Sequence, residues 1–525
     1  MTLRLRHGLR GLLLASALTL PPLSVPARAA DVTPAQAQDV AKDLQAWLSA
    51  LLGGKVPLPP DLFKVTAAGE LYRLTLPVPP GALRMEDTAG KPTEALYTIG
   101  MRPLGGTRWG IEEFRMPAFI ALSAEAAGGL ASGLAQAAPS PAAPSSTAPG
   151  AGGKPTPPSL EIRIRNQAAT GVYDTSLKTE SRLEVTTQGI TVRSAGLGGP
   201  GQRSDGSADR FTGLFELRPT TSGGVDTVSD WSMEGYSSVN FDPSLGEMKF
   251  GARRVRMRGA IGAVMTAQLT TILQTAIQGA LEASAQPQAK PDEPLSDANR
   301  AKLKTIVTAL KGVIAGVGVE EAIEGFRIEA MGQSGGAERV LFAMGGNAPG
   351  GKFGAFLEMA VDGLKVSALP PQFADLLPRA ISLRPVVSNI DVVALTALAD
   401  AALEPKADFD AIQGKLISLF TSNGVKLGVE RLSIDLGSTK LTASGSVTPV
   451  SPTSASGQAE IFMTGYDALM DRVQKMPEAA QGIPVLALLR GLARTEGDKL
   501  VWRLALSEDQ KITVNGVDLR KLGGH

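Results

Sequence analysis

Between Leu160 and Gly259 the chain alternates apolar and polar side chains in one short segment after another, with glycine-rich connections between them. The segments read LEIRIRN, GVYDTSL, SRLEVTT, ITVRSA, RFTGLFELRP, VSDWSMEGY and MKFGARRVRMRG. A two-residue period places apolar side chains on one face of a strand and polar side chains on the other. The pattern therefore predicts an antiparallel sheet with one face in water.

One alternating pattern recurs along the chain. LEVTTQGITV at Leu183–Val192 and LEMAVDGLKV at Leu357–Val366 align without a gap, and LALSEDQKITV at Leu504–Val514 follows the same plan with one extra residue. LSIDLGSTKLTASG, which begins at Leu432, is a looser copy. We interpret each copy as a hairpin, so the recurrence predicts a repeated unit of strand, hairpin and helix pair.

A second pair of segments is also similar. VSNIDVVAL at Val387–Leu395 and MTGYDALM at Met463–Met470 share an apolar residue, a hydroxyl, a turn-forming residue, a bulky residue and then aspartate. Asp391 and Asp467 are expected at helix starts, where a carboxylate accepts hydrogen bonds from unpaired N–H groups. We interpret both as capping residues in preference to functional carboxylates.

Amphipathic helices are predicted for TPAQAQDVAKDLQAWLSALLGG, IGAVMTAQLTTILQTAIQGAL and SDANRAKLKTIVTALKGVI, in which apolar residues recur at helical spacing. Residues 259–281 carry no charge, a property also found in membrane spans. Gln268, Gln274 and Gln278 favour a buried helix of a soluble protein for this segment.

Residues 1–29 have the features of a Sec-type signal peptide. Arg4, Arg6 and Arg10 precede the short apolar core GLLLASALTL, and the small-x-small sequence ARA ends at Ala29. We expect cleavage after Ala29 and export to the periplasm. The alternative, an uncleaved anchor, is disfavoured by the prolines that follow the apolar core.

The sequence beyond the signal divides by composition into three parts. Residues 30–136 are predicted to form an α+β unit, with strands in GELYRLTLPV, EALYTIGM and RWGIEEFRMP. Residues 137–158, rich in proline, alanine and glycine, are expected to form a flexible linker. Residues 159–525 are expected to hold the repeat-built antiparallel sheet with helix pairs, including a disordered spacer at 284–295.

The chain has no cysteine and two histidines, His7 in the predicted signal and His525 at the last position. Disulfides, Cys–His and Ser–His–Asp mechanisms are therefore excluded from the predicted mature chain, and zinc is disfavoured. The 52 basic and 51 acidic residues nearly balance, so no nucleic-acid partner is expected.

Carboxylate chemistry is the remaining catalytic option, since glycosidases and hard-metal sites need only Asp and Glu. The candidates lie singly or in pairs without a dense acidic motif: Glu112, Glu113, Glu320, Glu321, Asp362 and Asp435. We interpret each as solvated surface by default.

Two other motifs have structural explanations. GLGGPG at Gly196–Gly201 lacks the lysine and hydroxyl of a phosphate loop, so a surface turn is favoured. Arg254, Arg256 and Arg258 share one face of an extended strand. Such a row could hold lipid phosphate, but we interpret it first as the solvent face of a half-buried strand.

The segments GELYRLTLPV, RWGIEEFRMP, LTASGSV, GQAEIFMTGYDALM and ITVNGVDL together resemble uncharacterised alphaproteobacterial envelope proteins of the family called domain of unknown function 2125. The strand-rich repeats are more distantly similar to AsmA-type envelope proteins. The resemblance implies an envelope location and supplies no catalytic residues.

We therefore predict an α+β fold of curved, mainly antiparallel sheets built from repeated hairpins, with amphipathic helix pairs packed on one face. The predicted function is non-enzymatic binding of lipid or another apolar envelope ligand. A structural or assembly factor of the envelope is the alternative, and a carboxylate-based glycan hydrolase is a third. No catalytic, cofactor-binding or metal-ligating residue, no cofactor and no integral membrane segment after signal cleavage is predicted, and the oligomeric state is left open.

Overall fold

The computed structural model describes residues 32–51, 63–77, 83–105, 108–122, 159–174, 179–196, 201–221, 223–265, 296–310, 315–367, 376–404, 407–422, 424–476 and 481–521, with isolated residues between 268 and 275 and between 369 and 373. Most of them lie in antiparallel strands of curved sheet, which confirms the predicted fold class. The predicted signal, the linker and the spacer at 284–295 lie outside the described residues.

The described helices and strands follow in chain order. The helices are α1 Pro34–Leu51, α2 Asp297–Leu310, α3 Val392–Ala402, α4 Phe409–Ser422, α5 Tyr466–Gln474 and α6 Ile483–Leu492. The first twelve strands are β1 Lys64–Ala68, β2 Leu71–Pro77, β3 Leu83–Glu86, β4 Ala95–Gly105, β5 Arg108–Arg115, β6 Phe119–Leu122, β7 Ser159–Arg163, β8 Asn166–Asp174, β9 Thr179–Ala195, β10 Arg203–Pro219, β11 Val225–Asp242 and β12 Gly246–Val264. The others are β13 Gly316–Ala330, β14 Gln333–Asn347, β15 Lys352–Asp362, β16 Lys365–Val366, β17 Ala380–Asp391, β18 Lys426–Asp435, β19 Lys440–Ser451, β20 Ser454–Thr464, β21 Arg494–Glu496, β22 Lys499–Leu506, β23 Ile512–Val514 and β24 Val517–Asp518.

The chain divides into two compact units, one of Met1–Pro219 with Thr227–Lys249 and one of Thr220–Asp226 with Phe250–His525. This division differs from the predicted boundary at residues 137–158. Strand β5 pairs with β8 and β6 pairs with β7, so strands from both sides of the predicted linker form one sheet. Tyr173, which follows the linker, is fully buried in the same core as Leu44 of α1.

Helix α1 covers the sheet of the first unit, as its apolar periodicity predicts. Thr33 precedes the helix, and its hydroxyl accepts a hydrogen bond from the Gln36 backbone N–H at 3.3 Å. Val40 and Leu44 are completely buried. Tyr72 packs against Trp109 with ring centroids 5.5 Å apart, and the Tyr72 hydroxyl donates to the Gln36 side chain at 2.5 Å. The capping residue and the core thus meet at the start of α1.

The predicted hairpin at Leu183–Val192 is wrong, because this segment lies within the continuous strand β9. Gly189 bends the strand with a φ of 62°. Residues before the bend pair with β8, and residues after it pair with β7. A hairpin turn would have reversed the chain, whereas β9 continues forward through this left-handed glycine and stays paired with β10 on both sides of it.

The predicted hairpin at Leu357–Val366 is wrong for the same reason. Strands β15 and β16 both pair with β14 in the same antiparallel sense, so the chain continues forward through Gly363, whose φ is 63°. The two remaining copies are hairpins as predicted: β18 pairs with β19, and β22 pairs with β23. Their connections contain several residues, which allows the chain to reverse.

Charged residues lie beside these bent positions in both units. In the first unit, a Cβ at Gly189 would come within 2.9 Å of Arg165, and one at Gly235 would meet Asp209. In the second unit, a Cβ at Gly325 would lie 3.1 Å from Arg253, and one at Gly363 would lie 2.4 Å from Glu338. Each of these glycines thus lies beside a charged residue from an earlier segment of the chain, a recurrence that the sequence pattern did not predict.

The similarity between Val387–Leu395 and Met463–Met470 is confirmed at the backbone. Asn389 and Gly465, the matched turn-forming residues, both have a φ of 67° and precede helices α3 and α5. Asp391 caps α3 by accepting from the Ala394 N–H at 3.0 Å, as predicted. The capping assignment of Asp467 is wrong, because Gly465 is the N-cap and Asp467 lies inside the first turn.

The predicted helix at residues 296–314 is confirmed as α2. The one predicted from Ile261 begins too early, because β12 continues to Val264; most of its remainder lies outside the described residues. No helix in the described part of the chain combines the length and apolar character needed to cross a bilayer.

The bent strands predict a specific sensitivity to added Cβ atoms. Gly363→Ala should lower the free energy of unfolding by about 2 kcal/mol, because alanine is strained at this positive φ and its Cβ would contact Glu338. Gly332→Ala is the matched control: its φ is 74°, but no atom lies within 4 Å of the added Cβ. The control should cost only about 1 kcal/mol.

Urea unfolding of the two variants measures this difference. Equal losses of stability would contradict the importance of the close approach at Gly363.

Candidate functional site: an apolar sheet face

Eight strands of the second unit pair in sequence with a defined antiparallel register. They are β13, β14, β15, β17, β18, β19, β20 and β22. Directly paired residues of adjacent strands point to the same side of a sheet. The register therefore identifies which side chains share each face of this sheet.

One face, here called the apolar face, consists of four rows that cross the eight strands. The first two rows are Ile323, Val340, Val361, Ile381, Ile434, Leu441, Met463 and Leu500, and then Glu321, Phe342, Met359, Leu383, Leu432, Ala443, Ile461 and Trp502. The other two are Val319, Met344, Leu357, Pro385, Val429, Gly445, Ala459 and Leu504, and then Val317, Gly346, Ala355, Val387, Leu427, Val447, Gly457 and Leu506. Glu321 is the only ionisable side chain among these paired positions.

The opposite face of the same strands is polar. Arg384 of β17 forms ion pairs with Glu358 of β15 at 3.3 Å and with Glu430 of β18 at 3.0 Å. Arg503 of β22 lies 3.0 Å from Glu460 of β20. Cross-strand pairs of this kind identify the solvent-facing side of the sheet.

The helix pairs pack on the apolar face, as predicted, and they cover only part of it. Ile390, Leu419 and Val425 form one buried cluster in which α3 and α4 meet Phe353 and Val387. A second cluster places Tyr466 of α5 and Leu492 of α6 against sheet residues that include Leu500 and Trp502.

Parts of the remaining apolar face are open. Met344 is 46% exposed, Met359 41%, Val317 45% and Leu427 46%. Scattered apolar exposure is normal for a soluble protein, whereas a contiguous patch marks a site that binds something apolar. The exposed apolar side chains of this face are therefore accessible to an apolar molecule.

Glu321 is the chemical exception on this face. It lies on β13 directly opposite Phe342, with Val319 and Ile323 on the same side of its own strand. Burial raises the pKa of Glu321 above its ordinary value. No hydrogen bond or ion pair within the described residues engages its carboxyl group.

The other predicted carboxylate candidates do not converge on this face. Glu112 pairs with Arg102 at 2.8 Å and Glu113 with Arg73 at 3.2 Å, both in the first unit. Glu320 lies on β13 with its side chain on the polar side, opposite Ala343. These positions fit the default interpretation of surface carboxylates.

Asp362 and Asp435 come closest to a pair, because both are cross-strand partners of Ala380. Two strand spacings separate them, which is about 9.6 Å. The hydrogen bonds from Lys440 at 3.0 Å and from the Gly437 N–H at 2.7 Å hold the pKa of Asp435 below its ordinary value. Asp435 is therefore ionised and hydrogen-bonded to Lys440 and Gly437, whereas a general acid must hold a proton that it can donate.

The remaining sequence motifs have structural roles. Gly196 and Gly201 flank the connection between the antiparallel strands β9 and β10, as expected of a turn, although residues 197–200 lie outside the described part. Arg254, Arg256 and Arg258 lie on β12, and each already makes contacts within the fold. In the described ranges, no group of three or more His, Asp or Glu side chains is placed to hold a metal ion.

The sequence patterns predicted individual strands, but they did not predict that the apolar sides of eight strands would share one face. A signal was present: LEMAV, LSI and LVWRLAL all place apolar residues at every second position.

Comparison with protein-family models, curated proteins and solved structures finds no match for this chain.

The position of Glu321 predicts a pH-dependent stability. Unfolded Glu321 titrates near pH 4.3, and burial raises its folded pKa. The folded state holds the proton more tightly, so the free energy of unfolding falls as pH rises from the unfolded to the folded pKa. Glu321→Gln removes this penalty and should raise the melting temperature at neutral pH, with the gain disappearing below about pH 4.

Glu320→Gln is the matched control, since it removes the same charge from the polar side of the same strand. Thermal unfolding across pH 3 to 8 compares the two variants with the unmodified protein. The assignment of Glu321 to a desolvated position fails if both substitutions change stability identically at every pH.

Proposed function

We propose that this is an exported, non-enzymatic protein of the cell envelope that binds lipid or a similar apolar ligand on the apolar face. The supporting observation is the continuous row pattern across eight strands, which stays partly exposed at residues such as Met344 and Met359. The export signal predicted at residues 1–29 supports the envelope location.

The dimensions of the apolar face suit an acyl chain. Eight strands spaced about 4.8 Å apart extend over about 34 Å. The hydrocarbon core of a bilayer is about 30 Å thick, so one acyl chain needs about half that length. A chain laid along one row would therefore contact several strands at once.

The energetic basis is the removal of apolar surface from water. Each Å² removed contributes about 25 cal/mol, and the ligand's own apolar surface contributes in the same way. The sheet is held by its backbone pairing and by polar contacts on its other face. Binding would thus need little rearrangement, which limits its cost.

The direct test is to purify the protein from its native envelope fraction and to identify extracted molecules by mass spectrometry. We expect a co-purifying amphiphile in near-stoichiometric amount. A protein that is consistently empty and that also fails to bind an uncharged fluorescent acyl-chain probe in solution would contradict the proposal.

A substitution on the apolar face should separate binding from folding. Met344→Asp places a charge at an already exposed position of the third row, so it should weaken binding of an uncharged fluorescent acyl-chain probe about tenfold or more while the protein stays folded. Fluorescence titration measures the dissociation constant, and circular dichroism checks the fold.

The matched control is Ser444→Asp, an exposed residue paired with Glu460 on the polar side of the same sheet. It should leave binding unchanged. Equal effects of the two substitutions would show that the apolar face is not the binding surface.

One observation favours the second candidate, an assembly factor that contacts other envelope proteins. Helix α6 exposes Val485, Leu488 and Leu489 at 58%, 57% and 42%, which forms an apolar stripe at helical spacing. Crosslinking in envelope fractions followed by purification distinguishes the candidates, since a scaffold should recover defined proteins and a carrier should recover lipids.

A further inference from the structure

We propose that Glu321 is the headgroup anchor of the apolar face and selects amphiphiles with a cationic amine over those with an anionic headgroup. The inference rests on the proposed function, because it names which apolar ligands the face prefers. Two structural features carry it: the isolation of Glu321 among apolar residues and the absence of any cation from the four rows.

The first feature is the immediate surroundings of the carboxyl group. Phe342 lies directly across from Glu321, and Met359 follows Phe342 in the same row. Val319 and Ile323 flank Glu321 on its own strand. These side chains offer no hydrogen bond to the carboxyl group, and it has no ion-pair partner in the described residues.

The second feature is the distribution of the cations. Arg384 of β17 and Arg503 of β22 form their ion pairs on the polar face, and Arg253 of β12 pairs with Glu324 of β13 at 3.2 Å on that same face. The paired positions of the apolar face include no lysine or arginine. An anionic headgroup would therefore find no complementary charge there and would be repelled by Glu321.

An ammonium group gives the carboxylate the partner that the fold does not supply. Opposite charges attract more strongly where apolar neighbours exclude water, and an unpaired charge in such a place is costly. Burial raises the pKa of Glu321, which agrees with the incomplete hydration of this carboxyl group. A bound amine would restore the missing charge interaction.

The location also gives the ligand a direction. Strand β13 adjoins β12 on one side, where Gly325 lies beside Arg253, and the other seven strands of the apolar face follow on the other side. An amine held at Glu321 can leave its alkyl chain to cross those seven strands. Along this row the chain would meet Phe342, Met359, Leu383 and Leu432 in turn. The charged end and the apolar end of an amphiphile thus have separate places on one face.

The test compares dodecylamine with dodecanoate, two probes with equal chain length and opposite charge, below their micelle concentrations. Calorimetric titration at pH 8 should show the amine binding to the unmodified protein about tenfold more tightly than the acid. Glu321→Gln should remove most of this preference. Glu320→Gln, on the polar side of the same strand, should preserve it.

Charge reversal provides a second, independent measurement. Glu321→Lys should reverse the order, so that dodecanoate binds more tightly than dodecylamine. Circular dichroism on each variant confirms that the sheet is intact. An unchanged order in folded Glu321→Lys, or equal binding of both probes to the unmodified protein, would overturn the assignment of Glu321 while leaving the apolar face as a lipid site. Failure of both probes to bind at all would overturn the proposed function as well.

Discussion

The antiparallel register from β13 to β22 is the constraint on which the candidate site depends. A shift of one residue in any pairing would turn that strand's apolar side chains to the polar side. Two irregularities preserve the pattern. In β18 the register shifts between Val429 and Leu432, and both remain on the apolar face. The left-handed residue Asn389 similarly lets Val387 and Ile390 both contact the α3–α4 layer.

The bent strands serve a related purpose. Strand β9 pairs first with β8 and then with β7, and Gly189 lies where the partner changes while pairing with β10 continues. The charged side chains beside Gly189 and Gly363, Arg165 and Glu338, occupy the space that a Cβ would have filled. Bends at single glycines curve a sheet without interrupting its hydrogen bonding, and curvature allows helices to pack on one face.

The sequence predicted the features that depend on neighbouring residues. Alternation predicted the strands, and the Asp391 cap followed from its place before an apolar run. The hairpins were predicted correctly only where several residues separate the alternating runs, as SEDQK does before Ile512. At Gly189 a single residue connects the runs, and sequence periodicity alone does not separate a bend from a reversal. The apolar face and the isolation of Glu321 depend on register between strands, which no single segment contains.

The helix pairs cover the apolar face at two separate places. Helices α3 and α4 connect β17 to β18 beyond Val387, at the end of the fourth row. Helices α5 and α6 connect β20 to β22 beyond Met463, at the end of the first row. The two connections therefore leave the sheet at opposite strand ends. Each pair buries only the sheet residues of its own cluster, so apolar residues outside these clusters, including Met359 and Leu427, are left for a ligand to cover.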